Sequence, residues 1–436
     1  RALPSIDEPA AQLGMQVFFT KSLALNGLDA ACVTCHHPVL GGGDNLSLPI
    51  GVDAENPDLL GQGRFHSVTG THFDGGPPVP RNAPTTFNIA LWDRSIFHDG
   101  RIEALDPSAG QNGNTNGIRT PDSAFNVADV NAGGNLTEAQ ARFPVTSREE
   151  MRGFGDTLPD NDTLRAELAT VVLPPSWNDE FDAVYGGTDG VAGTDPANPY
   201  ARIAEVIAAY ERSQVFVDNP WSEFVSGADS AISESAKRGA LLFFRDYDEG
   251  GANCAACHSG DFFTNEGFHN YAMPQIGRGK GDESGTGIGD NDFGRFRETG
   301  DTADMFAFRT PSLLNVAVTG PWSHAGAYTS LEAAIRHKAN PEEAINNFDF
   351  SQLNPNLQAS NMLINTQAAI AAGIDPLIEV IELSDEDVAD LVAFLETLTD
   401  PCVTDRACIG QWIPDASDPN PDALRLNAID TTGNPL

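Results

Sequence analysis

Apolar residues recur at three- and four-residue spacing in two stretches far apart in the chain. Ile203, Val206, Ile207 and Tyr210 form one stripe, and Val388, Leu391, Val392 and Leu395 form another. That is the spacing of a helix burying one face. Ser384, with Asp385, Glu386 and Asp387 behind it, reads as the N-terminal cap of the second helix. No comparable set of alternating apolar strands occurs, so the pattern predicts a mainly α protein with long loops. Three stretches read as insertions: 107–142 and 186–198, rich in Gly, Asn and Asp, and 277–301, rich in Gly, Arg and Asp. Asp290-Asn-Asp292 lacks the Gly and the terminal Glu of an EF-hand loop and reads as a solvated loop.

The pattern also repeats. Gly14-Met-Gln-Val-Phe18-Phe19 returns as Gly239-Ala-Leu-Leu-Phe243-Phe244, and Pro84-Thr-Thr-Phe-Asn88-Ile-Ala90 as Pro311-Ser-Leu-Leu-Asn315-Val-Ala317. Phe97-His98-Asp-Gly100 returns as Ser323-His324-Ala-Gly326. Several landmarks in one order at nearly one offset predict an internal duplication. The expected layout is residues 1–215 and 216–400 as two related domains, with 401–436 as a tail.

At 436 residues the chain has room for such domains. Lys and Arg number 25 against 62 Asp and Glu, a net charge of −37, which repels phosphate backbones and excludes nucleic-acid binding. No apolar run approaches the roughly 20 residues of a membrane span. The opening residues lack a basic-then-apolar signal segment, so a signal peptide is expected to have been removed already.

Six cysteines give the chemistry. They fall as Cys32-Val-Thr-Cys35-His36, Cys254-Ala-Ala-Cys257-His258, and Cys402 with Cys408. Two thiols three residues apart can each add to a vinyl group on one porphyrin edge while the adjacent imidazole reaches the iron, which is the c-type haem attachment pattern. A thioredoxin-like pair would need a strand before it, and a four-cysteine zinc site would leave both histidines unexplained. The third pair reads as a disulfide tying down the tail. Disulfide and haem attachment both point to the periplasm or beyond.

The chain resembles the bacterial dihaem cytochrome c peroxidases and MauG-type dihaem enzymes over about residues 8–400. Besides both haem motifs, the resemblance rests on Arg81-Asn-Ala-Pro-Thr, Phe97-His-Asp-Gly-Arg101, Pro144-Val-Thr-Ser-Arg-Glu-Glu-Met151, Thr319-Gly-Pro-Trp-Ser-His-Ala-Gly326 and Ser330-Leu-Glu-Ala-Ala-Ile-Arg-His-Lys338. It implies two cytochrome c-like domains, with two covalently bound haems held by Cys32, Cys35 and His36 and by Cys254, Cys257 and His258. The first haem would meet peroxide and the second would pass electrons. The resemblance places the acid/base carboxylate at Glu150, although Thr146-Ser-Arg-Glu149 also reads as a capping box. It places one Ca2+ against the Asn82 side chain and the Thr319 and Pro321 carbonyls. Lys338 stands where the family has Met or Tyr as the sixth ligand of the second haem, with His337 as its rival. His98 replaces the inter-haem Trp of many members, leaving Trp92 or Trp322 as substitutes. His66 and His72 are the candidates for a removable ligand of the first haem. His324 is expected beside a propionate, His37 at the surface, and His269 has no assignment.

Three readings result. The first is a periplasmic peroxidase reducing H2O2 with electrons from a small cytochrome c or copper protein. The second is a MauG-like enzyme oxidising residues of a partner protein through peroxide-derived high-valent iron, and the third is a dihaem electron carrier. A homodimer is left open.

Overall fold

In the computed structural model all residues are described except 1, 26–28, 72, 74–75, 114–115 and 283–289. Five helices frame the molecule: α1 (Pro9–Phe19), α2 (Ala201–Ser213), α3 (Glu234–Phe244), α4 (Leu331–Ala339) and α5 (Asp385–Glu396). Both predicted stripes are helical. In α2, Ile203, Val206, Ile207 and Tyr210 are buried; in α5, Val388, Leu391 and Leu395 are. Ser384 caps α5 as expected, its Oγ accepting from the Asp387 N–H at 3.1 Å while the Asp387 carboxylate accepts from the Ser384 N–H at 2.9 Å.

The helices cross in two pairs, α1 on α2 and α3 on α5, and each crossing turns on a glycine. A Cβ on Gly14 would lie 1.8 Å from the Val206 carbonyl oxygen, and one on Gly239 would lie 1.9 Å from that of Asp390. Backbone meets backbone, so nothing larger than hydrogen fits. One turn further along, Tyr210 packs on Phe18 with ring centroids 4.9 Å apart, and Phe394 packs on Phe243 at 5.0 Å. Each such side chain contributes roughly 1.5–3 kcal/mol by leaving water.

The segment between the pairs ties them together. Asn88 and Asn315 both take left-handed backbone, at φ 63° and 62°, before a short 3-10 turn. Both side chains donate to the Phe216 carbonyl, at 3.0 and 2.9 Å. Asn88 Oδ1 accepts from the Phe216 N–H at 2.8 Å and Asn315 Oδ1 from the Asp400 N–H at 2.9 Å. Sheet is minor: β1 (Ser95–Ile96), β2 (Ile102–Ala104) and β3 (Ile118–Arg119) form one antiparallel sheet, and β4 (Phe268–His269) pairs with β5 (Phe308–Arg309).

Cys402 and Cys408 form the expected disulfide. The tail beyond it returns to the first helix pair. The Tyr210 hydroxyl donates to the Trp412 carbonyl at 2.8 Å, and the Leu426 N–H to that of Phe19 at 2.8 Å. The Asp422 carboxylate collects Thr20, Ser22 and Trp177 as donors. Among the described residues no helix is long and apolar enough to cross a membrane.

Two local expectations are corrected. His37 is fully buried, its ring edge-on to Phe19, because the chain turns inward after the first haem motif. Asp292 is not solvated: its carboxylate accepts from Arg81 Nε and Nη2 at 2.6 and 2.8 Å, 2% exposed.

Candidate functional site

One cavity of about 640 Å³ is lined by both Cys-X-X-Cys-His segments. All four of their cysteines are unpaired. His36 Nδ1 lies 3.1 Å from the Gly42 carbonyl oxygen, and His258 Nδ1 lies 3.1 Å from that of Phe263. A carbonyl only accepts, so the proton sits on Nδ1 and the Nε2 lone pair remains for a metal. Burial lowers the pKa of both rings, that of His258 to about 4, which keeps them in the neutral form that binds iron. Phe18, Ile207, Phe243, Leu391 and Leu395 give the cavity an apolar wall, and Arg81, Arg101, Arg278 and Lys280 a cationic one. Paired thiols, oriented imidazoles and an apolar wall fit a porphyrin beside each motif, and the cations suit porphyrin carboxylates.

Glu150 sits in a single π turn, Arg148–Arg152, and lines the cavity. Desolvation pushes its carboxyl above the usual range, opposed chiefly by Arg101 and Lys280. Cys32 and Cys35 both lie within the field of Glu150, whereas Cys254 and Cys257 lie within that of Lys338. The structure therefore brings Glu150 to the first motif and Lys338 to the second.

Two further residues belong to this wall. Gln140 is 8% exposed, and its amide oxygen has no partner among the described residues. Glu211 is 2% exposed, one carboxyl oxygen is equally without a partner, and burial raises its pKa to about 8. Glu211 follows Ile207 by four residues, so a carboxyl interrupting the apolar stripe of α2 was the signal available in the sequence. Gln140 offered none.

Residues 8–230, just over half of the chain, match the di-haem cytochrome c peroxidase family. The chain belongs to that family. It is 27% identical over 398 residues to the methylamine utilization protein MauG of Methylorubrum extorquens, covering 91% of this chain and 80% of that protein. To the cytochrome c551 peroxidase of Pseudomonas aeruginosa it is 25% identical over 337 residues, covering 77% and 73%. Among solved structures it resembles a MauG-like protein associated with microbial copper homeostasis, with a TM-score of 0.59, 21% identity and coverage of 94% and 96%. It also resembles the diheme peroxidase BthA from Burkholderia thailandensis E264, with a TM-score of 0.57, 20% identity and coverage of 95% and 90%. Membership makes the chain an oxidoreductase of dihaem peroxidase type.

The remaining residues named from sequence divide by position. Asn82, Thr319 and Pro321 all line the cavity, and Asn82 Nδ2 donates to the Leu46 and Ser47 carbonyls at 2.9 and 3.1 Å. Among the described residues no three His, Cys, Asp or Glu side chains are grouped to hold a metal. His98 Nε2 donates to the Asn82 carbonyl at 3.1 Å, and His324 lies flat on Phe308, centroids 3.7 Å apart. Both also line the cavity, as do Trp92 and Trp322. Trp92 meets Phe262 edge-on at 6.2 Å, while Trp322 Nε1 donates to the Val316 carbonyl at 3.1 Å.

Lys338 lines the cavity and donates to the Tyr247 hydroxyl at 3.1 Å and to the Ala252 carbonyl. His337 points elsewhere. Its Nδ1 is 2.7 Å from the Tyr328 hydroxyl and its Nε2 3.0 Å from the Tyr271 carbonyl, so both nitrogens are committed. His269 lines the cavity with Nδ1 2.7 Å from Asp375. His66 is not part of the lining; it is buried, stacked on Phe73 with centroids 6.1 Å apart. His72 lies outside the described residues.

Proposed function

We propose that the chain is a periplasmic dihaem c-type peroxidase that reduces hydrogen peroxide to water with electrons from a small cytochrome c or copper protein. The supporting observation is the single cavity that takes in both Cys-X-X-Cys-His segments and, beside the first, Glu150. In this reading Cys32, Cys35 and His36 hold one haem and Cys254, Cys257 and His258 the other, in two related domains, residues 1–215 and 216–400, followed by the 401–436 tail. The matched glycine crossings and the paired Asn88 and Asn315 hydrogen bonds support the duplication. Asn82, Thr319 and Pro321 bind one Ca2+ through hard oxygen ligands.

When bound, the first haem would supply an iron for reaction with peroxide and a route for electrons. The protein supplies the protons. Reduction of H2O2 to two waters takes two electrons and two protons, and cleavage of the O–O bond needs a group that takes the proton from the near oxygen and returns it to the leaving one. In this reading Glu150 performs both tasks. Its desolvated carboxyl holds a proton nearer neutrality than an exposed Glu, and the Gln140 amide oxygen in the same cavity, without a partner among the described residues, is a further hydrogen-bond acceptor for peroxide. Trp92 against Phe262 is the aromatic contact offered to electrons where His98 replaces the family's Trp.

One observation favours a second reading. Lys338, rather than a thioether, faces the second motif, and MauG is among the relatives. An amine ligand would lower that haem's potential and suit a MauG-like enzyme that uses peroxide to oxidise side chains of a partner protein. Mixing the ferric holoprotein with stoichiometric H2O2, with and without reduced cytochrome c, separates the two. Rapid donor oxidation supports the peroxidase, a long-lived oxidised state without donor turnover supports the second reading, and an unchanged spectrum leaves only an electron carrier.

A further inference from the structure

Residues 277–282 and 290–292 run back to back as a short hairpin. The Lys280 and Asp282 N–H groups donate to the Asn291 carbonyl at 3.2 and 3.3 Å, and the Asp290 N–H to that of Arg278 at 3.0 Å. Gly277, Gly279 and Gly281 are all left-handed, at φ 86°, 70° and 78°. A Cβ on Gly279 would lie 1.7 Å from the Asp290 carbonyl oxygen, so the arms close only with glycine there. The intervening Arg278 and Lys280 both line the cavity.

The two cations differ in commitment. Arg278 is 7% exposed, and its Nε donates to the Pro77 carbonyl at 3.3 Å. The Lys280 ammonium makes no hydrogen bond or ion pair among the described residues. The charges facing it are Arg81 and Arg101, of like sign, and Asp292 and Asp99, both already bound to Arg81. The charges facing Glu150 are Arg101, Lys280 and the like-charged Glu149, whose carboxylate accepts from the Ser147 hydroxyl at 3.4 Å. Arg101 is shared, its guanidinium 3.4 Å from Asp99 and stacked 3.5 Å over Phe97. Among the described residues, Lys280 thus lines this wall without a carboxylate of its own, whereas Arg81 and Arg101 each have one.

We propose that Lys280, projected into the cavity by the glycine hairpin, is a positioning residue for Glu150, favouring its ionised form and so setting the pH at which it can take a proton from peroxide. This rests on Glu150 being the acid/base group. Burial lowers the Lys280 pKa to about 8, so the ammonium is present over the acidic and neutral range in which a raised Glu titrates.

The test is the rate at which ferric holoprotein reacts with H2O2 across about pH 5 to 9 in wild type, Lys280→Met, Lys280→Arg and Glu150→Gln. Removing a cation raises a neighbouring carboxyl pKa, so Lys280→Met should move the rising limb up by about one pH unit, and Lys280→Arg should restore it. Infrared titration of the peroxide-free holoprotein should show the protonated carbonyl band that Glu150→Gln removes persisting to higher pH in Lys280→Met. An unmoved limb in Lys280→Met, with Glu150→Gln inactive, overturns the role of Lys280 alone. A shift that Lys280→Arg fails to restore, or a changed haem spectrum with an unmoved limb, overturns it too, the second by making Lys280 a partner of the porphyrin carboxylates. If Glu150→Gln reacts like wild type, the acid/base reading itself falls.

Discussion

Around Cys32, Cys35 and His36 the cavity presents carboxyls, Glu150 and the isolated Glu211; around Cys254, Cys257 and His258 it presents the amine of Lys338. The frames beneath are nearly the same, with glycine at each helix crossing, an aromatic pair one turn on, and a left-handed Asn reaching the Phe216 carbonyl. In the proposed reading, two sites built alike take different tasks from the side chains that face them. A desolvated carboxyl can exchange protons with peroxide, while an amine can hold the other side of an iron or stabilise a neighbouring negative charge.

The comparison breaks most completely through the attachment cysteines. Wild type should carry two covalent haems by denaturing mass spectrometry, and the double variants Cys32→Ala/Cys35→Ala and Cys254→Ala/Cys257→Ala one each. Loss of both from either variant would show that the sites do not load independently.

Next in size is the frame. Gly14→Ala and Gly239→Ala each force a methyl into a carbonyl oxygen and should each cost about 3 kcal/mol by urea denaturation. Unequal costs would show that only one crossing is as tight as the other implies.

A smaller effect sharpens the contrast through pH. The Glu211 carboxyl holds its proton up to about pH 8 when folded, so the folded state binds more protons than the unfolded one between the ordinary Glu value and about 8. Stability should fall as pH rises through that window, by roughly 1.4 kcal/mol per unit at the steepest, and Glu211→Gln should remove that slope. A slope unchanged in the variant assigns it elsewhere. Smallest is Lys338→Ala, which should alter the low-spin signal of the second haem while leaving the first unchanged; an unaltered signal removes Lys338 as a ligand.

Much of this was legible in the sequence where short-range pattern decides structure. The stripes of α2 and α5, the Ser384 cap, the paired glycines and the disulfide follow from spacing that local physics enforces. What escaped was set by tertiary contact. His37 looks like a polar surface residue, and Asp292 sits among glycines and acids, yet the first is sealed against Phe19 and the second against Arg81, more than two hundred residues away. Glu211 was visible as a carboxyl interrupting an apolar stripe, but periodicity reports which face is buried, not which polar atom on it lacks a partner. For the same reason spacing could not separate Lys338 from His337. Adjacent residues on a helix point about 100° apart, and only the fold shows that the histidine is spoken for by Tyr328 and Tyr271.

The asymmetry is tested most directly by rapid mixing of two ferric variants, Glu150→Gln and Lys338→Ala, with stoichiometric H2O2. The account predicts that Glu150→Gln, with both haems attached, reacts about 10²–10⁴-fold more slowly than wild type, whereas Lys338→Ala reacts at a rate near wild type. A fast Glu150→Gln beside an unreactive Lys338→Ala would contradict it and move peroxide to the second site.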